Sequence, residues 1–340
     1  MNSTELNNDK TNMQTRDINV DVLRILACFF VVVVHVSGTS LTSGITYSIG
    51  SIDWFVCYLS DLLARWCVPV FVMISGGFLL NPAKPVTIKK LFTKYILRIL
   101  IALIFWSVFY GIIFHTAFLP LGNQAGHLWY LPMIIGIYMV IPFFQIIPEK
   151  LLRYFVVVWF VFQSIAFIAK FITPEFKVID IEHYFFMDYV GFFVLGFLLY
   201  TNRESKQLQK ISYPAGIISV LLMVFLSVSL SLKNNETNQQ FFSYFSPLVI
   251  LISTAIFLFV LNIKFNVKTA TQKIILSISY STFGIYLIHI FLLANIYTRV
   301  TRFIHEPILF VPIICLGTFT LAYILISIIR KIPFISKYIV

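Results

Sequence analysis

Long apolar segments dominate this chain, and they limit its fold more than any other feature of the sequence. A helix needs about 20 apolar residues to cross a bilayer core about 30 Å thick. Beyond a polar stretch at residues 1–15, the sequence contains ten segments of about this length. They cover residues 18–38, 54–79, 95–115, 129–147, 151–171, 184–200, 211–232, 244–262, 276–297 and 308–329. The pattern predicts an all-α polytopic membrane protein with about ten transmembrane helices.

The composition excludes the other common classes of protein. Of the 340 residues, 59% are apolar and 11% are charged, whereas soluble domains average about 45–50% apolar and about 25% charged residues. A soluble domain cannot hide so much apolar surface, and disordered chains have the opposite composition. The net charge of +11 does not indicate nucleic-acid binding, because the basic residues lie between apolar segments. We expect the lipid bilayer, and no nucleic acid, as a partner.

The lysines and arginines predict the orientation of the helices. They are concentrated on alternate loops, with 19 of the 25 on one set and five on the other, while Arg65 lies within an apolar segment. Because cytoplasmic loops carry the excess of basic residues, this alternation predicts that both termini are cytoplasmic. The expected organisation is a flexible tail at residues 1–15, one transmembrane domain at 16–332 and a short cytoplasmic tail at 333–340.

The cysteines and histidines give no support for a metal centre. Cys28, Cys57, Cys67 and Cys315 all lie in apolar stretches, and none belongs to a CxxC pair. We interpret them as buried free thiols. No HExxH or His-x3-His spacing occurs, so no metal is expected.

Ionisable residues interrupt the first apolar segment and are candidates for function, because charge at membrane depth is unfavourable. Arg24 and His35 are 11 residues apart, which places them within about 20° on one helix face and about 16 Å apart along it. Asp21 lies one turn before Arg24. The structural alternatives are an arginine that extends towards the cytoplasmic interface and a histidine that bonds a neighbouring carbonyl.

The second apolar segment carries Arg65 near its middle. Because this position is about ten residues from either end, the guanidinium needs an anionic partner or a water-filled cavity. A structural ion pair with Asp61, four residues earlier, is the alternative to a functional role. Pro69 and the Ser75-Gly76-Gly77 sequence predict a kink or break in this helix.

Three further groups of side chains remain as candidates. Lys94 and Arg98 are one helical turn apart and suit a phosphorylated ligand, although simple cytoplasmic anchoring also explains them. The other candidates lie at the start of the fourth segment and inside the ninth, where an interfacial aromatic belt or core packing is the alternative. They are His127, Trp129 and Tyr130, followed by Tyr286 and His289.

The sequence resembles the acyltransferase 3 family of bacterial integral membrane O-acyltransferases from about residue 17 to 330. Four motifs on four different spans carry the resemblance. They are Arg24 followed after ten residues by His35; Arg65-x2-Val68-Pro69 with Phe71 and Ser75-Gly76; His127-Leu128-Trp129-Tyr130-Leu131 with Tyr138 and Pro142; and Ser279-Tyr280-Ser281 leading to Ile285-Tyr286-Leu287-Ile288-His289. An arginine pair often opens the third span of family members. Here Tyr95 stands in place of the first arginine, and Arg98 is kept.

The resemblance implies an activity and a location. Acetyl-CoA would supply an acetyl group from the cytoplasm to a hydroxyl of a cell-envelope glycan or a lipid-linked sugar, in the bacterial cytoplasmic membrane. It also implies that His35 is the catalytic residue and Arg24 its basic partner. The chain resembles the stand-alone members, which have no extracellular esterase-like domain.

We expect the remaining candidates to divide between the two substrates and the reaction. Arg24, Lys94 and Arg98 would hold the phosphates of CoA. His35 would act as general base, a transient acyl-histidine being the less favoured variant. Arg65 would stabilise the oxyanion or orient His35. The acceptor would contact His127, Trp129, Tyr130, Tyr286 and His289.

Two other classes of protein fit parts of the sequence. A transporter or flippase for a polysaccharide or lipid-linked intermediate also has many helices, broken segments and buried charges. The absence of an obvious internal repeat favours the enzyme. A purely structural membrane scaffold would give Arg24, Arg65, His35 and His289 no purpose.

Overall fold

Helices make up the regular structure of the described part of this protein. The computed structural model describes residues 17–42, 47–115, 123–172 and 185–340, and these ranges contain no strand. The expected tail at residues 1–15 lies outside them. The helices, in chain order, are α1 Ile18–Thr42, α2 Ile52–Ala64, α3 Cys67–Leu79, α4 Ile88–Ile113, α5 Tyr130–Gln145, α6 Glu149–Ile172, α7 Phe185–Thr201, α8 Lys206–Asn234, α9 Pro247–Asn262, α10 Thr269–Thr301, α11 Pro307–Ile329 and α12 Pro333–Tyr338.

The prediction of an all-α polytopic membrane protein is confirmed. Within the described residues, nine helical segments are long and apolar enough to cross a membrane, the second of them formed by α2 and α3 together. The sixth predicted span, at 184–200, corresponds to α7, which has 17 residues and is shorter than the nine long segments. Several helices extend beyond the predicted limits, above all α10, which has 33 residues.

The second predicted span is broken, but not where its proline and glycines suggested. Helix α2 ends at Ala64 and α3 begins at Cys67, so the break falls at Arg65 and Trp66. Pro69 lies in the first turn of α3, where a missing backbone N–H interrupts no helical hydrogen bond. Gly76 and Gly77 are helical. The break therefore places Arg65 at a helix end instead of inside a continuous span.

The two glycines at 76 and 196 allow α3 and α7 to pack at backbone distance. A Cβ atom on Gly76 would lie 1.8 Å from the carbonyl oxygen of Phe193, and one on Gly196 would lie 2.1 Å from that of Met73. No larger residue fits such a contact without separating the helices. Helix α7 is therefore a buried central helix that holds α3 in place.

The start of α4, which carries Lys94, and the C-terminal segment at 333–340 both have regular structure. Residues Leu91–Ile96 of α4 form a π-helical stretch that contains Lys94 and Tyr95, and such stretches are frequent at functional sites. At the other end of the chain, the expected tail at 333–340 contains α12. Ile339 and Val340 are buried, and the indole of Trp106 donates to the carbonyl oxygen of Ile339 at 3.0 Å.

Candidate functional site

A cavity of about 670 Å³ brings most of the predicted site residues together. It is bounded by α1, the break between α2 and α3, the start of α4, α5, the segment before α9, and α10. Of the candidates, His289 alone is not among the described residues that line it. The candidates that line the cavity are Arg24, His35, Arg65, Lys94, Arg98, His127, Trp129, Tyr130 and Tyr286.

Helix α1 carries Arg24 and His35 on an uninterrupted helix, and both side chains line the cavity. Nη1 of Arg24 lies 3.5 Å from the hydroxyl of Ser279 on α10 and 3.8 Å from Oδ1 of Asp21. The Ser279 hydroxyl in turn donates to Asp21 at 2.6 Å. The guanidinium is therefore fixed by polar groups inside the bundle, and it does not simply extend to an interface.

Arg65 forms the predicted ion pair and borders the cavity as well. Its Nη2 donates to Oδ2 of Asp61 at 2.6 Å, and its guanidinium carbon lies 4.8 Å from the ring centre of Phe242. Within the described structure, Nε of Arg65 is buried and has no hydrogen-bond partner. A buried donor of this kind is rarely left unsatisfied, so Arg65 has a hydrogen bond to offer to a bound molecule.

Lys94 and Arg98 form a cationic group at the end of the cavity where α4 begins, and both are exposed. Nη2 of Arg98 donates to an oxygen of Val340, the last residue of the sequence, at 2.8 Å, and its guanidinium carbon lies 5.3 Å from the ring centre of Phe283. The described lining of the cavity contains no Asp or Glu. Its charged groups are therefore cationic and suit an anionic ligand.

Three histidines that are far apart in the sequence form one cluster. The ring centres of His35 and His289 are 5.0 Å apart, those of His127 and His289 are 5.0 Å apart, and those of His35 and His127 are 6.3 Å apart. His289 is fully buried and lies behind the cavity wall. The expectation that it contacts the acceptor therefore finds no support in its position, unlike the same expectation for His127.

Aromatic rings complete the wall near the histidines. The ring of Tyr130 lies 5.6 Å from that of Tyr286, and the ring of Trp129 lies 6.3 Å from that of Tyr244. The hydroxyl of Tyr286 donates to the carbonyl oxygen of His127. These side chains present flat apolar surfaces with polar edges, which is the chemistry that binds a sugar ring or a similar ligand.

Four further tyrosines line the cavity that were not predicted as site residues, namely Tyr95, Tyr138, Tyr244 and Tyr280. Tyr138 follows Tyr130 by eight residues on α5, and this helical spacing was a usable signal. Tyr244 comes from the segment before α9, and its ring centre lies 6.0 Å from the guanidinium carbon of Arg65. No spacing within one helix predicts that contact.

Comparison with known proteins identifies the family of this chain. The family model described as an acyltransferase domain, of the acyltransferase 3 type, matches residues 17–327. No curated protein and no solved structure matches the chain. Since the match covers most of the 340 residues, the chain belongs to the acyltransferase 3 family.

Proposed function

We propose that this membrane acyltransferase moves an acetyl group from cytoplasmic acetyl-CoA to a hydroxyl of a cell-envelope glycan or lipid-linked saccharide, with His35 as general base. The family establishes the acyl-transfer class. The observation that carries the finer proposal is one cavity with cations at one end and His35 further in. In such a cavity an anionic acetyl donor can bind at the cationic end while its acetyl group lies near His35, the proposed base.

The donor end of the cavity suits coenzyme A. Arg24, Lys94 and Arg98 provide two guanidinium groups and one ammonium group for its phosphates, and guanidinium groups bind phosphate through paired hydrogen bonds. Arg24 and His35 are about 16 Å apart along α1. An extended pantetheine arm lying along this helix would bring the thioester to the imidazole.

The reaction follows from the groups around that point. His35 removes the proton of the acceptor hydroxyl as the hydroxyl oxygen bonds to the thioester carbon. The guanidinium of Arg65, with its unpartnered Nε–H, stabilises the negative oxygen of the tetrahedral intermediate. The carbon–sulfur bond then breaks, and the CoA sulfur takes the proton from His35. The products are the ester and free CoA.

The acceptor would occupy the aromatic end of the cavity. Trp129, Tyr130 and Tyr286 line that region and offer ring faces on which a sugar can stack. Nδ1 of His127 is buried and has no hydrogen-bond partner among the described residues. It can therefore accept a hydrogen bond from a hydroxyl of the acceptor.

Acetyl transfer by the reconstituted protein tests this proposal. Purified protein in lipid vesicles is given acetyl-CoA labelled in the acetyl group together with membrane glycan extracts, and both glycan label and free CoA thiol are measured. We expect transfer by the wild type and a loss of about 10²–10⁴-fold in His35→Ala and His35→Gln. His305→Ala is the matched control, because His305 is exposed and lies outside the cavity.

Two outcomes would contradict the proposal. Transfer retained by folded His35→Ala protein would exclude His35 as the base. Movement of a glycan that was labelled beforehand in its sugar across the vesicle membrane, without any release of CoA, would favour the transporter alternative over the enzyme.

A further inference from the structure

The hydrogen bonds of the histidine cluster show which ring nitrogen of His289 and His127 carries the proton. Nδ1 of His289 lies 2.5 Å from the carbonyl oxygen of Tyr286. Because a carbonyl oxygen only accepts, Nδ1 must carry the proton of the neutral ring, and Nε2 must carry the lone pair. That Nε2 atom is buried and has no hydrogen-bond partner within the described residues. His289 therefore holds an acceptor that no other group in the described structure uses.

The rings around His289 differ in whether they have a proton to give. Nε2 of His127 lies 3.3 Å from the carbonyl oxygen of Leu287, so the proton of that neutral ring is already engaged. The hydroxyl of Tyr286 donates to the carbonyl oxygen of His127. His35, whose ring centre is 5.0 Å from that of His289, remains as the neighbouring ring with a free N–H.

The other open acceptor of the cluster, Nδ1 of His127, belongs to a ring whose centre is further from that of His35, at 6.3 Å. A histidine that acts as a base usually has its second nitrogen hydrogen-bonded to a carboxylate, which fixes the tautomer and stabilises the imidazolium. No Asp or Glu occurs in the described lining of this cavity. Oδ2 of Asp61 is paired with Nη2 of Arg65 at 2.6 Å. Its Oδ1 is buried without a hydrogen-bond partner among the described residues, but Asp61 does not line the cavity.

We propose that His289 is a positioning residue for His35. The two ring centres are 5.0 Å apart and not hydrogen-bonded in this structure, and a rotation of the imidazoles lets the N–H of His35 donate to Nε2 of His289. This inference rests on the proposed function, since it assigns the partner of the proposed base. The hydrogen bond leaves the lone pair of His35 on its other nitrogen, which faces the acceptor hydroxyl. When His35 takes the hydroxyl proton, His289 stabilises the imidazolium while keeping its own proton on Nδ1. No carboxylate is then needed.

The cluster is not a metal site in this interpretation. Among the residues that the structure describes, no three His, Cys, Asp or Glu side chains are arranged to hold a metal ion. Two of the four ring nitrogens of His127 and His289 are also engaged by carbonyl oxygens. Hydrogen bonding between neutral rings accounts for the arrangement.

Two substitutions of His289 separate the positioning role from a structural one. The amide of Asn overlays Nδ1 of histidine and keeps the bond to the Tyr286 carbonyl, whereas the amide of Gln overlays Nε2 and presents an acceptor to His35. We expect His289→Asn to lower kcat by about ten- to a hundredfold and His289→Gln to stay within about threefold of the wild type. The KM for acetyl-CoA should remain unchanged in both variants, because the donor end of the cavity is untouched.

The opposite order of activity in the two His289 variants would overturn the inference. If His289→Asn is as active as His289→Gln or more active, the bond to Tyr286 is what matters, and His289 is structural. Equal losses in two variants that both elute as single species in detergent and melt like the wild type would also overturn it. Failure of the wild type to transfer acetyl from acetyl-CoA would instead refute the proposed function, so the two failures are distinguishable.

Discussion

Arg24 and Arg65 lie in apolar spans, and each has an acidic residue about one helical turn earlier. Arg65 is 2.6 Å from Asp61, and Arg24 is 3.8 Å from Asp21. An intramembrane cation requires such a partner or a polar cavity, and these two residues have both. Arg98 differs, because no acidic side chain of the described residues pairs with it. Its Nη2 donates to an oxygen of Val340, the last residue of the printed sequence, and its guanidinium lines the cavity, where a phosphate can reach it.

Substitution of Arg98 should weaken donor binding more than it slows the reaction. We expect Arg98→Ala to raise the KM for acetyl-CoA by about ten- to a hundredfold, the effect of losing a charged hydrogen bond. The value of kcat at saturating donor should change by only a few-fold, since His35 is unaffected. Initial rates of CoA release at varied acetyl-CoA concentration give both constants. Arg98→Lys should show an intermediate KM, because lysine keeps the charge and loses the planar fork.

Two control variants distinguish the loss of the Arg98 charge from a disturbed packing of the C-terminal segment. Trp106→Phe removes a second side-chain hydrogen bond to that segment, the one to Ile339, and leaves Arg98 in place. Arg302→Ala removes an exposed arginine that does not line the cavity. Both variants should keep the wild-type KM. An unchanged KM in Arg98→Ala would remove Arg98 from the donor site.

At the scale of helices, features set by a single helix could be predicted from the sequence, whereas contacts between two helices could not. The spans follow from length and hydropathy, which are local properties, so their number and order were predictable. The common face of Arg24 and His35 also follows from one helix. The contact of His35 with His289 depends on how α1 packs against α10, and no pattern within either helix encodes it.

The break in the second span shows the same limit. Pro69 and the glycines signalled an irregular helix, but a single sequence could not distinguish a kink from a close helix contact. Gly76 serves the contact, because its partner Phe193 lies on α7, much later in the chain. The break occurs at Arg65 instead, whose contacts with Phe242 and Tyr244 come from yet another segment.

The α3–α7 contact predicts a strong effect from one added methyl group. Gly196→Ala places its Cβ about 2 Å from backbone atoms of Met73, which cannot rotate away as a side chain would. We expect overpacking to lower stability by about 1–3 kcal/mol, seen as a lower melting temperature in detergent and a lower yield of monodisperse protein. Activity per folded molecule should also fall, because α3 follows the break that positions Arg65.

A second glycine provides the matched control for that substitution. Gly317 lies in the helix α11, and a Cβ there would meet nothing within 4 Å. Gly317→Ala should keep or slightly raise the melting temperature, because alanine favours a helix by about 1 kcal/mol over glycine. Equal melting temperatures for Gly196→Ala and the wild type would contradict the close contact between α3 and α7.

At the scale of the whole molecule, the proposed reaction requires one orientation in the membrane. Acetyl-CoA is made in the cytoplasm, so the end of the cavity with Lys94 and Arg98 must open on that side. The distribution of lysine and arginine predicts this orientation, since the loop before α4 belongs to the basic set. His127 and Trp129 then lie towards the opposite surface, nearer to an extracytoplasmic acceptor.

Cysteine labelling tests this orientation directly, because the four native cysteines are buried free thiols and should give little background. Glu236 and Lys268 are exposed and lie in successive loops, before and after α9. In intact cells, a membrane-impermeant maleimide should label Glu236→Cys and leave Lys268→Cys unlabelled until the membrane is permeabilised. The reverse pattern would place Lys94 and Arg98 on the outer surface, away from the acetyl-CoA pool. The cationic group would then be only a membrane anchor, and the donor would have to reach His35 by another route.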